Sequence, residues 1–500
     1  MRKIPATMVT QHPDHASSPY WHDKPFITTK HEPFELYSSF KDLGATEYKW
    51  DWEGKLVDEA VIDRIFSTYY EYFKTREIGR DHFLTFRLPN PKVETEFRLG
   101  RAFMSIIAAS GLAKHLGFHT PPLFEVILPM TESADEMIAI QDAFAELSSL
   151  NHPLLKQEDG IHHIELIPLF EDIQTIANSD KILKKYLSLH KEHFNFLPGY
   201  IRPYVARSDP ALNAGIVPTV LSIKIALSKY KKLEKRSGVK MFPIIGAAAL
   251  PFRGGLRPDK IERFMNEYKG IRTTTIQSAF RYDFDKKTVQ NAINRLESDL
   301  AKYKAVSINM DDEIEILSIM KLFEKFYKKT IEQIADLVNE VAKHVPKRRE
   351  RVQHVGLFGY SRGVGRVKLP RAIGFTAALY SIGIPPEVIG TGRGLQQIRN
   401  SKKLRVLEKY YINIAHDLVE AMKYANIPLI EEMTKTVPGV VDILKDIEYI
   451  KEYLNHKKIF TKEKHIKHQE ISRKIFEEIK SNKSPEGLIE KAGRMRRSMG

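Results

Sequence analysis

Apolar, β-rich segments recur along this chain at a spacing of roughly 30 to 45 residues, each followed by a longer stretch with apolar positions three or four apart. Eight are legible: TEYKWDWEG near residue 50, HFLTFRLP near 86, LFEVILPM near 127, HIELIPLFE near 167, YIRPYVARSD near 204, MFPIIGAAALPFR near 247, TTTIQSAFRYD near 278 and QHVGLFGYSR near 357. Strand and helix alternating over this length favour parallel strands, and eight units suit a closed (β/α)8 barrel of the TIM type better than an open sheet. The pattern predicts an α/β barrel over residues 45–370.

The gap of about 80 residues between the seventh and eighth segments holds VQNAINRLESDLAKYK and EIEILSIMKLFEKFYKKTIEQIADLVNEVAKHV, both amphipathic, and predicts a helical insertion over 284–350. Residues 371–500 lack strand patterns and predict a helical extension, punctuated by Pro385-Pro386, the GTGRGL turn and Pro438-Gly439. Residues 1–44 hold many Pro and His and little periodicity, which predicts an N-terminal arm or cap.

In such a barrel the active site lies at the carboxyl ends of the strands. Here those ends are charged: Asp51 and Glu53, Arg87, Glu132, Glu171 and Asp172, Arg207 and Asp209, Arg253, Arg281 and Asp283, and Arg362. Each follows an apolar strand, so several would converge on one axial cavity, where only mutual pairing or a ligand offsets their desolvation. Structural ion pairs around the rim are the plainer alternative.

Composition narrows the chemistry. The chain has 500 residues, 42% hydrophobic and 28% charged, an ordinary globular mixture, and no apolar run approaches a membrane span. The expectation is a cytoplasmic protein with no membrane partner. Without cysteine there is no disulfide, thiolate metal site or cysteine nucleophile, so a metal would need oxygen or imidazole ligands. The net charge of +15 could mark a nucleic-acid binder, but the excess lies in stretches such as KYKKLEKR and HVPKRRER that read as solvated helix faces, and no nucleic-acid motif accompanies it. No nucleic-acid partner is expected.

Glu171 in IPLFED and Asp209 in ARSDPALNAG end adjacent strands and suit Mg2+, with Mn2+ as an alternative, because such ions usually take one or two protein carboxylates and keep other oxygen ligands. Either carboxylate alone would pass for a helix cap. Arg87, Arg253, Arg257 and Arg362 offer guanidinium forks for a multiply charged anion. In LPFRGGLRPD, Gly254 and Gly255 would let the backbone approach a ligand, and SRGVGRVKLPRAIGF sets Arg362 and Arg371 among glycines where barrels often hold phosphate. These residues define a metal and anion site but no reaction.

The ordered motifs TMVTQHPD, FLTFRLPNP, IPLFED, VARSDPALNAG, ALPFRGGLRPD and GYSRGVGRVKLPRAIGFTAALYSIGIPPEVIGTG span the chain, which resembles the archaeal-type phosphoenolpyruvate carboxylases. The resemblance implies that phosphoenolpyruvate and bicarbonate become oxaloacetate and phosphate through carboxyphosphate and the enolate of pyruvate. It implies catalytic roles for His12, Arg253, Arg257, Arg362 and Arg371, with His12 steadying carboxyphosphate. It further implies metal ligation by Glu171 and Asp209, a substrate-side role for Arg87, and a homotetramer. Compared with the longer bacterial and plant-type enzymes, Pro251 stands where they carry a histidine and Leu212 where they carry a lysine, and Arg207 is the candidate for the missing charge. The ending RRSMG also differs from their terminal motif, which puts inhibition by aspartate in doubt. A mobile glycine-rich loop over the barrel mouth is expected to exclude water. Two other readings remain at this stage: a magnesium-dependent barrel lyase or aldolase acting on an oxo-acid or acyl-thioester, and a basic nucleic-acid-binding protein.

Overall fold

The computed structural model describes residues 2–52, 60–94, 97–150, 160–350, 367–456 and 459–500, and the backbone alone of 362–364. Eight parallel strands close into a barrel: β1 (Thr7–Thr10), β2 (Glu47–Asp51), β3 (Phe83–Arg87), β4 (Glu125–Leu128), β5 (Glu165–Phe170), β6 (Tyr204–Ala206), β7 (Ile244–Gly246) and β8 (Thr273–Ile276). They pair in chain order, and β1 closes the ring on β8 through Met8 opposite Thr275.

Alternation along β2 shows how the sequence builds this barrel. Tyr48 and Trp50 point outward into the main apolar core beneath the helices, whereas Glu47, Lys49 and Asp51 take the opposite face, inside the barrel. The interior is layered. Its amino-end layer is an ion network in which Arg202 reaches Glu47 and Glu125 at 2.7 Å each. Above it lies an apolar layer of Met8, Ile127, Ile167, Leu169, Tyr204 and Ile244. The carboxyl-end layer is charged again, with Asp51 and Arg87 directly opposite each other across β2 and β3. Ion pairing between these side chains is what offsets the burial of charge at either end.

Two expectations are corrected. Residues 7–10 are not part of an arm: they form the strand that closes the barrel. The segment QHVGLFGYSR falls mostly on residues 351–361, outside the described residues, and the barrel closes without it. Arg362–Val364 instead pairs antiparallel with Val367–Leu369 in a hairpin apart from the barrel. The helical stretch over 284–350 therefore follows the last barrel strand rather than interrupting the barrel.

The helices up to that point are α1 (Glu32–Lys41), α2 (Val61–Thr75), α3 (Arg98–His115), α4 (Ala134–Ser148), α5 (Ile173–Phe194), α6 (Ser208–Ala214), α7 (Ile216–Ser237), α8 (Ile261–Glu267), α9 (Ser278–Tyr282), α10 (Lys286–Asp299) and α11 (Met310–Ala342). The tail is helical as expected, from α12 (Ala372–Ser381) through further helices to Arg496. These pack with α7 and α11 into a second apolar core that includes Ile316, Phe323, Ile331, Phe375, Leu379 and Ile447. Among the described residues, no single helix is long and apolar enough to cross a membrane.

The segment after α11 roofs the barrel mouth. Ile27 and Arg349 form a parallel bridge, with Ile27 N–H donating to Arg348 O at 3.0 Å and Glu350 N–H to Ile27 O at 2.9 Å. Arg349 donates to Glu32 at 2.9 Å and to both Glu35 oxygens at 2.7 Å. HVPKRRER is thus not wholly a solvated face, because Arg348 and Arg349 are buried.

Candidate active site

A cavity of about 540 Å³ opens at the carboxyl ends of the strands, a size within the usual ~300–1,000 Å³ of small-molecule sites. Sequence-designated residues from five places meet there: His12 after β1, Arg87 at the end of β3, Glu171 after β5, Arg207 and Asp209 after β6, and Arg253 in the loop after β7. Arg371, the residue preceding α12, reaches the same cavity from the helical half.

Arg253 is the most fully held of these. It is 1% exposed, and its Nε donates to Ser208 Oγ at 3.0 Å, its Nη2 to Gln277 Oε1 at 2.8 Å and its Nη1 to Asp14 Oδ2 at 3.3 Å and to the Gly500 carbonyl. The loop presenting it is cross-tied: Ala248 N–H donates to Arg253 O at 2.8 Å, and Gly255 N–H to Leu250 O at 3.0 Å. Gly254, at φ +118°, presses its backbone on Ala247, whose Cβ would lie 2.8 Å from an added methyl. The glycine therefore serves the loop's own packing, where the sequence suggested close approach to a ligand. The glycine-rich loop is here a hydrogen-bonded turn in which Phe252, Arg253 and Leu256 are buried and the two glycines half-buried.

His12 is half-buried at the cavity wall, and its Nδ1 shares a hydrogen bond of 2.9 Å with Thr10 Oγ1. Burial first, and then the charge of Lys49, hold its imidazole well below the ordinary pKa, so the ring is neutral at physiological pH. The segment beyond it is fixed by Asp14, which accepts from Ala279 N–H at 2.7 Å, and by Asp283, which accepts from Ala16 and Ser17 N–H at 2.8 and 2.6 Å. Burial pushes Asp283 up to about 7.

The structure separates the remaining expected residues from the cavity or gives them other partners. Arg257 lies outside it, paired with Asp259 at 2.9 and 2.7 Å and packed over Phe284, because the turn at Gly254 and Gly255 directs it away from Arg253. Arg207 borders the cavity, but its guanidinium donates to Phe252 O at 2.8 Å, Pro251 O at 3.1 Å and Tyr268 Oη at 2.9 Å, so its charge is used on the Arg253 loop. Arg281 is buried against Glu35 and the Thr10 carbonyl, a structural tie. The side chain of Arg362, and all of Glu53, lie outside what the structure describes.

Sequence reasoning missed Lys49, which lines the cavity with its Nζ 3.0 Å from Asp51 Oδ1, while Arg87 Nε meets the same oxygen at 2.8 Å. The alternation of charged and aromatic residues in KWDWE was the available signal, since it puts Lys49 and Asp51 on one face. Asp14 and Gln277, which orient Arg253, carried no such signal.

The donor set fits a hard divalent cation. Glu171 and Asp209 line one cavity, and both bear on the buried Tyr204 hydroxyl, whose pKa is pushed up by burial first and then by neighbouring carboxylates. No cluster of three metal-ligating side chains occurs among the described residues. Two carboxylates suffice for an ion that completes its shell with water and substrate oxygens.

The family model described as phosphoenolpyruvate carboxylase matches residues 4–500. The chain is 41% identical over 449 residues to a phosphoenolpyruvate carboxylase of Leuconostoc mesenteroides, covering 89% of each chain. It is similar to that of the archaeon Methanospirillum hungatei at 40% identity, covering 88% of this chain and 92% of the relative. With that of Metallosphaera sedula it shares 39% identity over 85% of this chain and 84% of the other.

Proposed function

The chain belongs to the phosphoenolpyruvate carboxylase family, and from that premise we propose how the mouth of this barrel carries out the reaction. The enzyme combines phosphoenolpyruvate with bicarbonate to give oxaloacetate and phosphate, a carboxy-lyase activity. The observation that carries the site assignment is the convergence of His12, Arg87, Glu171, Asp209, Arg253 and Arg371 on one cavity.

Bicarbonate attacks the phosphoryl group, forming carboxyphosphate and the enolate of pyruvate; carboxyphosphate then releases carbon dioxide, which the enolate captures. Arg253, with the one N–H that its protein partners leave, and Arg371 hold the phosphoryl oxygens, and Arg87 the substrate carboxylate. Arg253 and Arg87 are held by protein partners before substrate arrives, so they stabilise developing charge without reorganising. Asp51 holds Arg87 and Lys49 together at the wall of the cavity. His12 is neutral and steadies carboxyphosphate through its other ring nitrogen, since Nδ1 is engaged with Thr10. Arg362 belongs to the same anion-binding set by its place in the motif, whereas Arg207 acts on the loop and Arg257 stands outside.

Mg2+, or Mn2+ in its place, would be held by Glu171 and Asp209 and would supply Lewis-acid chemistry when bound. The roof formed by residues 342–350 keeps water from the enolate. We also propose a cytoplasmic homotetramer; the exposed Met310, Ile314 and Leu317 on one side of α11 support self-association.

A coupled assay tests the reaction: oxaloacetate appears only with phosphoenolpyruvate, bicarbonate and a divalent cation together. Turnover of an oxo-acid or acyl-thioester, without bicarbonate-dependent phosphate release, would favour the lyase reading instead.

A further inference from the structure

Glu387 lies outside the cavity, in the short turn Pro386–Val388 after α12, and is 0% exposed. Its Oε1 accepts from the backbone N–H of Phe252 at 2.7 Å and from the Tyr380 hydroxyl at 2.8 Å. From the opposite side, Arg207 donates to the carbonyls of Phe252 and Pro251. The residue immediately before Arg253 thus has its N–H tied to the helical half and its C=O tied to the barrel. Its ring stacks on Phe375 of α12 with centroids 5.7 Å apart.

A carboxyl is an expensive choice for this position. Its second oxygen, Oε2, has no hydrogen-bond partner, and burial pushes its pKa up to about 7. A methionine or leucine would fill similar volume without that desolvation cost. What an apolar side chain lacks is an acceptor for the Phe252 N–H, which would otherwise be an unpaired buried donor.

We infer that Glu387 is a positioning residue for the carboxylation, holding the Phe252 peptide so that Arg253 presents its guanidinium to the phosphoryl anion. The inference rests on the proposed contact between Arg253 and that anion. Because Glu387 touches no reacting atom, its effect passes through Arg253 and depends on the planar fork that only arginine has.

A double-mutant cycle tests this, with kcat/KM for phosphoenolpyruvate read from oxaloacetate formation. Glu387→Gln keeps the acceptor and is expected within about threefold of wild type, while Glu387→Met lowers kcat/KM at least about tenfold. In an Arg253→Lys background the same Glu387→Met change is expected to cost less than about twofold, because the geometry it protects is already gone. An equal loss in both backgrounds, a comparable loss in Glu387→Gln, or no loss in Glu387→Met overturns the inference. If Arg253→Lys alone leaves kcat/KM unchanged, the reading beneath the inference fails, and the inference with it. Should Glu387→Met not fold, Tyr380→Phe removes only the hydroxyl orienting the carboxyl. It is then expected to cost about threefold with Arg253 present and nothing in the Arg253→Lys background, and any other pattern overturns the inference.

Discussion

Arg253 and Arg257 are four residues apart in one motif, yet the structure gives them opposite fates, so substitutions at the two positions should diverge sharply. Arg253 spends Nε, Nη1 and Nη2 on Ser208, Asp14 and Gln277, an arrangement that fixes the guanidinium plane against the cavity. Lysine in its place keeps one charge but cannot bond in three directions within a plane. Losing one charge-assisted contact to the reacting phosphoryl group costs about 3 kcal/mol, which corresponds to roughly a hundredfold in rate. Arg253→Lys is therefore expected to lower kcat/KM about a hundredfold, mostly in kcat, because the contact strengthens as charge develops. Arg257 pairs only with the partly exposed Asp259 and rests on Phe284. Arg257→Ala should cost no more than about 1 kcal/mol of stability and leave kcat/KM within about twofold. Steady-state kinetics and thermal melts on both variants decide the matter. Equal losses at the two positions, or the larger loss at Arg257, would refute the separation of roles.

Glu171→Gln and Asp209→Asn should each weaken Mn2+ binding at least about tenfold, followed by the electron paramagnetic resonance of free Mn2+ without substrate; unchanged affinity in both would remove the metal assignment. His12→Asn should bind phosphoenolpyruvate normally but form less oxaloacetate, with part of the turnover diverted to bicarbonate-dependent pyruvate release, and normal turnover would exclude its role. Glu35 supplies a pH test. Burial alone would raise its pKa, but Arg349 and Arg281 outweigh burial and hold it at about 2, against an ordinary 4.5. A depressed carboxyl stabilises the fold above its unfolded pKa and loses that contribution as pH falls towards 2, so Glu35→Gln should cost about 3 kcal/mol at pH 7 in urea unfolding. The gap should shrink below pH 4.5, and a gap independent of pH would contradict this.

Strands β2 to β8 were legible because each sits in a segment followed by a stretch with helical periodicity, at a recurring spacing. TMVT was not, because the Pro- and His-rich stretch after it lacks that periodicity, and the strand is recognisable only once Val9 meets the outer core and Met8 the inner layer. Glu171, Asp209 and Arg253 could be placed from sequence since each lies in the segment that follows a strand, at the carboxyl end of the barrel. Arg257 could not, because two consecutive positive φ angles at Gly254 and Gly255 decide its direction. Nor could Arg207, whose guanidinium serves backbone carbonyls that only the folded loop brings near. Lys49 was overlooked because attention fell on the residue ending each strand, although the alternation in KWDWE sets it one step below Asp51.

We propose that one cavity brings the metal carboxylates and Arg253 onto the same substrate. Crystals of the enzyme soaked with Mn2+ and a phosphonate analogue of phosphoenolpyruvate test it directly, with the metal located by its anomalous scattering. The anomalous peak is expected against Glu171 and Asp209, with the phosphonate oxygens in hydrogen-bond reach of Arg253. A metal bound elsewhere, or an analogue seated beside Arg257 with Arg253 still occupied by Asp14 and Gln277 alone, would contradict it.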